Sequence, residues 1–393
     1  MSKIRVDTVA TQDDSTSVPT ATLTALPARV TAVENGKAVK GANADITSLT
    51  GLTTALSIAQ GGTGGNTADA ARSALGVVGR NRIINGSCTF AQRGATAAFA
   101  TATVGYGGPD RFYAANSGSA AGQFTQSTGS IVDGGVTKAS IVQTVNTAIA
   151  NTTSTNFWSG IAQYVEGVNC FDLVGSPVAV SFLFKTNVTG TFSVAVRDST
   201  GAISYNTSFA AVSGVPVKVS INLPAVPLAA VIPQTTGIGM QVWVGAINTG
   251  TYQAPASNVW NTGNYITVPS SVNWGATIGN YISLTDLQLE AGTATPFERR
   301  IYQQELALCQ RYYQTGTGVL NGYSTVGTGN DVWVPFGTRM RATPTLTYAQ
   351  NAMVNCSAYD VRLAQVDGLV VHAVVIGTGG YIWQCTWTAN AEL

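Results

Sequence analysis

The sequence predicts a mainly β protein: an antiparallel jelly-roll β-sandwich and a small C-terminal β-sandwich, preceded by a short N-terminal coiled-coil stem. Three observations support this prediction. Only 10 % of the 393 residues are charged, against about 25 % in an average soluble domain, and small polar residues take their place. Apolar and polar residues alternate over many short stretches, which indicates strands with one buried face. Turn residues separate these stretches at the spacing of a sandwich.

Charge and cysteine usage exclude several classes of function. The chain carries 20 basic and 19 acidic residues with no basic stripe, so nucleic acid is not an expected partner. The five cysteines are far apart and form no CxxC pair, which predicts buried free thiols rather than disulfides or a zinc site. They are Cys88, Cys170, Cys309, Cys356 and Cys385.

No apolar run reaches the roughly 18 residues of a membrane span. The N-terminal "MSKIRVDTVATQDD" lacks the apolar core of a signal peptide. We therefore expect synthesis in a cytoplasm and no membrane insertion.

The N-terminal part predicts an extended arm over residues 1–20 and a helical stem within residues 21–79. Two short apolar stripes have the spacing of a coiled coil; they are Leu23, Leu26, Val30 and Val33, then Leu49, Leu52 and Leu56. Helices this short are marginal alone, so the stripes predict that identical chains associate around an axis. The alternative is that these helices pack on the downstream domains.

A glycine-rich segment, "ALSIAQGGTGGNTADAARSALGV", follows the stem at residues 55–77. Its glycines at 61, 62, 64 and 65 allow backbone angles closed to other residues. A short capped helix is expected after them, ending at Gly76. The segment lacks the lysine and hydroxyl residue of a phosphate-binding loop, so it predicts an adaptor rather than a nucleotide site.

This segment is similar to one shared by many bacteriophage tail-fibre proteins, which read "GGTGA-x-T-A-x-x-AR-x-x-LG". Those proteins are elongated homotrimers. The resemblance implies a trimer-axis adaptor in which three chains approach closely at Gly61, Gly62, Gly64 and Gly65. It also implies that the N-terminal region docks on the virion, at a phage tail or baseplate protein.

The sequence of residues 80–300 predicts that this region forms the jelly roll. Alternating stretches such as "VAVSFLF" at 178–184 and "IGMQVWV" at 238–244 supply its strands. The region opens with "NRIINGSCTFAQRG" and closes with "LTDLQLEAGTATPFERR". Both resemble the edges of a carbohydrate-binding-like jelly roll in phage fibre proteins, "N-x-I-x-N-G-x-F-x-x-WQRG" and "VQLE-x-G-x-x-ATPFE-x-R". The match departs from the pattern at Ala91, where an aromatic residue is usual.

A linker helix is expected over residues 301–314, with Leu306, Cys309, Gln310 and Tyr313 on one side. The sequence of residues 315–393 predicts a small β domain at the tip. Its last strand places four residues on one face: Tyr381, Trp383, Cys385 and Trp387.

The sequence offers no catalytic or metal-binding pattern. The single histidine, His372, lies within the apolar "LVVHAVV", which favours a structural role. No metal-ligand spacing is present, and no pair of carboxylates stands out as a glycosidase pair. We expect no catalytic residue, no metal and no cofactor.

Two aromatic loops have the composition of a sugar site, which needs flat apolar faces and polar side chains together. The first contains Tyr252, Trp260 and Trp274, and the second contains Tyr323, Asp331 and Trp333. For Trp260 and Trp274 the alternative is that they fill the core beneath the loop.

Together with the resemblance, these features predict a homotrimeric phage tail fibre, located in the virion. It would bind a host-cell surface receptor, a glycan, through its β domains. Two alternatives remain open: a fibre-borne glycan hydrolase or deacetylase, and a purely structural appendage.

Overall fold

The computed structural model describes residues 8–10, 17–19, 56, 62–63, 71, 79–99, 104–117, 123–149, 158–248, 250–362 and 364–393. The chain divides into two compact units, residues 1–66 and residues 67–393. In the first unit Thr8–Ala10 (β1) and Ser17–Pro19 (β2) pair as antiparallel strands, with Thr8 opposite Pro19.

The predicted stem and most of the adaptor lie outside the described residues. This applies to Leu23, Leu26, Val30, Val33, Leu49, Leu52, Gly61, Gly64 and Gly65. Gly62 is described, and a Cβ placed there would collide with Leu56 of the same chain. The close approach that glycine permits at this position is therefore made within one chain, and the trimer axis stays a prediction.

In the described part of residues 96–291, thirteen strands form the larger sandwich. They are Thr96–Phe99 (β3), Val104–Tyr106 (β4), Tyr113–Ser117 (β5), Gln123–Asp133 (β6), Val136–Thr147 (β7), Trp158–Glu166 (β8), Val178–Thr186 (β9), Gly190–Asp198 (β10), Ile203–Ala211 (β11), Val217–Leu223 (β12), Ile238–Asn248 (β13), Val259–Thr262 (β14) and Tyr281–Ala291 (β15). Short 3₁₀ turns lie at Gly167–Asn169, Phe171–Leu173 and Trp274–Ala276.

The strand order identifies a jelly roll. One sheet has the order β14-β11-β10-β13-β8-β5-β4 and the other β12-β9-β15-β7-β6-β3. From β7 to β13 the chain crosses to the other sheet at each step except from β10 to β11, which pair within one sheet. The last strand, β15, inserts between β7 and β9. Four strands of each sheet thus form the eight-stranded double Greek key of a jelly roll, as the sequence predicts. They are β11-β10-β13-β8 in one sheet and β12-β9-β15-β7 in the other.

The inward faces of both sheets build one apolar core. The predicted residues of β9, β10 and β13 lie in it, including Phe184, Val194 and Val242. The expectation of a wet outer face is wrong for β9, where Ala179 and Leu183 are also buried. The chain after β15 crosses this face, as shown by the Ala294 N–H, which donates to Asn222 Oδ1 of β12 at 2.9 Å.

The smaller sandwich follows a helix, Tyr302–Gln310 (α1). Its strands are Tyr313–Ser324 (β16), Gly329–Pro335 (β17), Thr345–Val354 (β18), Cys356–Arg362 (β19), Gly368–Val375 (β20) and Gly379–Asn390 (β21). They form two antiparallel three-stranded sheets, β16-β21-β18 and β17-β20-β19. As predicted, Tyr381, Trp383, Cys385 and Trp387 share one buried face of β21.

Helix α1 buries only part of the predicted side: Cys309 is buried and Leu306 packs partly buried in the same cluster, while Gln310 and Tyr313 are partly exposed. Its buried residues are Glu305 and Cys309, followed just beyond the helix by Tyr312. Glu305 turns inward because its carboxylate accepts the Asn85 N–H at 2.5 Å and pairs with Arg300 at 3.3 Å. Ion pairing thus brings Glu305, which was not part of the prediction, to the buried side of the helix.

The two segments that resemble phage fibre motifs lie against each other. The Asn81 side chain donates to Leu287 O at 3.1 Å and accepts the Leu289 N–H at 3.1 Å. Asn85, at φ +58°, accepts the Phe90 N–H and donates to Phe90 O. The polar residues of these motifs therefore fasten the start of the jelly roll to its last strand, which is a structural role.

Glu298 closes this contact and makes stability depend on pH. Burial raises the pKa of its carboxyl, but the backbone N–H groups of Gly79, Asn81 and Arg80 and the charge of Arg300 outweigh burial, so the pKa lies below its ordinary value. The stabilisation is then fully present above about pH 4.3 and is lost as the pH falls through the lowered pKa. We expect Glu298→Gln to flatten the loss of unfolding free energy between about pH 6 and about pH 3. Denaturant unfolding at several pH values checks this, and parallel pH curves for variant and wild type would refute it.

The chain end joins the two sandwiches. The Glu392 carboxylate pairs with Arg111, and with Arg93 at 3.0 Å. The Tyr312 ring lies beneath the Arg111 guanidinium, 3.4 Å from its carbon to the ring centroid. Arg341 donates to the carbonyl of Glu392 at 2.6 Å. These buried charges attach the smaller sandwich to the larger one.

All five cysteines are buried free thiols. Burial raises the pKa of the Cys170 thiol to about 12 and that of the Cys88 thiol further still. Such thiols stay protonated and unreactive at neutral pH.

Candidate functional site

The outer surface of the sheet β17-β20-β19 groups polar and aromatic side chains on the smaller sandwich. In the central strand β20 the core takes Leu369, Val371, Ala373 and Val375. Because side chains alternate along a strand, Val370 and His372 face outward. We call this surface the Trp333 face and define it by Asp331, Trp333, Asp360, Arg362, Val370 and His372.

Strand register arranges the Trp333 face in two rows. Asp331 and Asp360 lie opposite His372 from either side, so the first row is acid, imidazole, acid. Trp333 and Arg362 lie opposite Val370 in the same way. The second row is therefore indole, valine, guanidinium. It lies next to the charged first row, within reach of its side chains.

Three of these side chains meet at one point. Asp331 Oδ1 accepts from Arg362 Nη2 at 2.8 Å and lies 2.8 Å from His372 Nδ1. The Arg362 hydrogen bond, helped by His372, holds the pKa of the Asp331 carboxyl below its usual range. The carboxylate is thus ionised at neutral pH, and about half of the Asp331 side chain, 53 %, remains exposed.

Two glycines let the rings lie close to the sheet. A Cβ at Gly368 would collide with the Trp333 ring, and one at Gly329 would lie 3.1 Å from His372 Cε1. Trp333 nevertheless keeps 46 % of its surface exposed. The ring therefore rests on backbone on one side and presents its other side to solvent.

This arrangement suits a sugar. An exposed indole offers a flat apolar surface to the C–H face of a sugar ring. The Asp331 carboxylate accepts hydrogen bonds from hydroxyl groups, and the Arg362 guanidinium donates them. The Trp333 face is open and shallow, so it fits an exposed chain of sugars better than a small molecule that needs enclosure.

The structure places Tyr323, the third residue of the predicted tip site, apart from Asp331 and Trp333. Tyr323 lies on β16, in the other sheet of the smaller sandwich, and is 78 % exposed. Asp331 and Trp333 are brought together on β17, whereas Tyr323 is not part of their surface. The loop that joins β16 to β17 is continuous in sequence, but it passes from one sheet to the other.

In the loop of the larger sandwich the aromatic residues serve packing. Trp274 is fully buried; its Nε1 donates to Gly245 O at 2.8 Å and its ring contacts Phe124. The prediction that it holds a receptor is wrong, and the core alternative is right. Trp260 is partly buried against Tyr205, and its Nε1 donates to Pro224 O at 3.1 Å.

Tyr252 also packs inward. It lies partly buried against a small apolar cluster on the outer face of the seven-stranded sheet, beside Trp243 and Ile266. The loop from residue 250 onward thus covers this sheet face instead of presenting its aromatic residues as a platform.

Sequence reasoning missed His372, Arg362 and Asp360 as members of the site. His372 is not a core residue; it lies on the outer face of β20 beside Asp331. The signal was present, since alternation within "GLVVHAVV" places His372 opposite to Leu369 and Val371. The pairing of β17, β19 and β20 was not readable, because it joins residues far apart in the chain, such as Gly329 with Val374 and Asp331 with His372.

Among the described residues, no group of three or more potential metal ligands is found. No helix in the described part of the chain is long and apolar enough to cross a membrane.

No protein-family model and no curated protein sequence matches the chain. Solved structures do match. The enzymatically active domain of tailspike protein 4 from bacteriophage CBA120 has 14 % identity, a TM-score of 0.29, and a match covering 54 % of this chain and 21 % of that one. The module CBM61, solved with β-1,4-galactotriose, has 11 % identity, a TM-score of 0.24 and coverage of 54 % and 99 %.

The C-terminal family 22 carbohydrate-binding module of Xyn10B from Clostridium thermocellum has 13 % identity, a TM-score of 0.25 and coverage of 43 % and 85 %. The chain spans only 21 % and 25 % of the length of the tailspike domain and of an exo-β-agarase, which it also resembles. The structural neighbours thus include a phage tailspike domain and carbohydrate-binding modules, but likenesses of this size do not assign a function.

Proposed function

We propose that the chain is the subunit of a homotrimeric bacteriophage tail fibre and binds a cell-surface glycan through the Trp333 face. The observation that carries the binding proposal is the half-exposed Trp333 ring beside Asp331 and Arg362 on one flat sheet surface. The fibre part rests on the adaptor segment at residues 55–77 and on the two jelly-roll edge segments, which resemble those of phage fibres. Docking of the N-terminal region on a phage tail or baseplate protein belongs to the same proposal.

A shallow site is sufficient for this function. Three chains joined in a fibre present three copies of the Trp333 face to a surface that repeats its glycans. Linking binding modules raises the overall avidity by a large factor without any new contact. Each copy can therefore bind weakly while the fibre holds the cell.

Trp333→Ala is expected to weaken glycan binding without disturbing the fold. An aromatic contact contributes about 0.5–1.5 kcal/mol beyond burial, so we expect a loss of about 2-fold to about 10-fold in the affinity of each site. Binding of the full-length chain to a glycan array, followed by titration with the best ligand, measures this. Tyr323→Ala removes a more exposed aromatic ring from the other sheet of the same sandwich and serves as the matched control. Equal binding by wild type and Trp333→Ala would refute the role of this face.

Trimerisation is tested separately. Light scattering of the full-length chain should give three times 40.5 kDa, and Leu26→Asp should lower this mass because it would bury charges at the axis. A stable monomer of the wild type would contradict the fibre part of the proposal. It would leave glycan binding by the Trp333 face standing.

We propose binding without catalysis. Incubation of the purified chain with the glycan it binds should release no new reducing ends and no acetate. Release of either product would favour the hydrolase or deacetylase alternative. Failure of the chain to bind any glycan or cell would favour a purely structural appendage.

A further inference from the structure

The larger sandwich carries a charged groove that the sequence did not indicate. Two adjoining cavities of about 340 Å³ and about 550 Å³ lie on the outer face of the sheet β12-β9-β15-β7-β6-β3. Both are lined by Lys138, Asp286 and Phe297. We call them together the Phe297 groove and define it by these residues with Asp133, Lys218 and Arg299.

A β-bulge aims one carboxylate into the groove. The pairing of β15 with β9 shifts between Thr285 and Gln288. As a result Leu284 and Leu287, three positions apart, both reach the core. Asp286 is the inserted residue; it has φ +53° and is 7 % exposed. Without the bulge, alternation would point this carboxylate into the apolar core.

The charges of the groove form a linear network. Asp286 accepts from Arg299 at 3.2 Å and from Lys138 at 2.6 Å. Lys138 also donates to Asp133 at 3.1 Å, and Asp133 lies 3.1 Å from Lys218. Burial lowers the pKa of Lys138, but the hydrogen bonds that it donates to Asp286 and Asp133 outweigh burial and raise the pKa overall. The central lysine is therefore charged.

The network has a surplus of positive charge at its exposed ends. Three cations face two carboxylates. The end members, Arg299 and Lys218, are 58 % and 72 % exposed, and each makes one ion pair here. A guanidinium has five N–H donors and an ammonium three. Most donors of both ends thus remain available to a negatively charged group.

The remaining lining suits a sugar ring. Phe297 is partly buried and borders both cavities. Hydroxyl side chains line the walls, among them Ser220 and Thr137. An aromatic surface together with hydroxyl groups is the lining that a saccharide requires.

We propose that the Phe297 groove binds an acidic saccharide whose carboxylate pairs with Arg299 and whose ring lies against Phe297. Arg299 is the specific partner because a guanidinium matches a planar carboxylate with two parallel hydrogen bonds. Lys218 adds positive charge at the other end. The proposal rests on the proposed function only for the class of ligand, a saccharide; it adds a second site on a different sandwich.

The test is calorimetric titration of the full-length chain with oligogalacturonate, oligoglucuronate and sialylated oligosaccharides, each beside its carboxyl-reduced neutral form. At least one acidic ligand should bind about tenfold or more tightly than its neutral form, since hydrogen bonds to charged groups are the stronger ones. Arg299→Ala should remove this preference, and Lys218→Ala should reduce it. Both side chains are exposed, so the fold should persist. Arg339→Ala removes an exposed guanidinium from the smaller sandwich and should change nothing.

Each outcome decides one site. If no acidic ligand binds better than its neutral form, or if the preference survives Arg299→Ala, the groove does not bind acidic saccharides. If the preference is lost in Trp333→Ala but kept in Arg299→Ala, the acidic ligand belongs to the Trp333 face. If Trp333→Ala keeps the preference for the acidic ligand and Arg299→Ala loses it, the groove is the site that binds the acidic saccharide. This conclusion does not depend on whether the Trp333 face binds a glycan.

Discussion

Glu392→Ala is expected to destabilise the unit of residues 67–393 by about 3–5 kcal/mol, since removing one partner of a buried ion pair leaves uncompensated charge. The Glu392 side chain is 5 % exposed, and its partners Arg111 and Arg93 are 1 % and 11 % exposed. The substitution leaves both guanidinium groups buried without this carboxylate. Because these contacts connect the two sandwiches, the smaller sandwich should lose its attachment first.

Denaturant unfolding of wild type and variant measures this effect. Asp172→Ala is the matched control, because Asp172 pairs with Arg82 at 2.6 Å while 46 % of its side chain is exposed. Exposed pairs contribute about 0–1 kcal/mol. A loss in Glu392→Ala no larger than that in Asp172→Ala would show that the buried pair does not hold the sandwiches together.

Trp274→Ala is expected to cost about 3–5 kcal/mol of unfolding free energy, the usual range for truncating a buried aromatic residue. Trp274 is fully buried, and its ring centroid lies 5.3 Å from that of Phe124. The substitution opens a cavity between the sheets and leaves Gly245 O without its 2.8 Å hydrogen bond.

The matched control is Trp333→Ala, which truncates the same residue type where 46 % of it is exposed. We expect Trp333→Ala to change stability by about 0.5 kcal/mol. Thermal and denaturant unfolding of both variants should therefore differ sharply, while their effects on glycan binding should follow the opposite order. Equal stability of the two variants would contradict the burial of Trp274.

Alternation of apolar residues was enough to predict the sheets. Phe184, Val194 and Val242 reach the core as their spacing indicates. The burial of Leu183 on the other face of β9 was not predictable, because the segment that covers it lies more than a hundred residues later in the chain. The bulge at Asp286 was readable from "LTDLQLE", where leucines are spaced by three and then by two.

Part of the candidate site followed from composition. Asp331 and Trp333 were found because the sequence around them combines aromatic, polar and turn residues. The structure places them on one face because they lie two apart on strand β17 and not in a loop. Arg362 and His372 join them only through strand pairing, which no local pattern reveals. Trp274 was ambiguous because a core residue beneath a loop and an exposed one on it are surrounded by the same turn residues.

The central claim is that the Trp333 face holds the chain on a cell surface. Truncation before the smaller sandwich would not test it, since this would also remove Glu392 from Arg111. The decisive measurement is adsorption of labelled full-length protein to a bacterial strain that the wild type coats, compared with Trp333→Ala and Tyr323→Ala. We predict that Trp333→Ala loses most of its adsorption while keeping the wild-type mass and unfolding curve, and that Tyr323→Ala adsorbs normally. Undiminished adsorption by Trp333→Ala would contradict the claim.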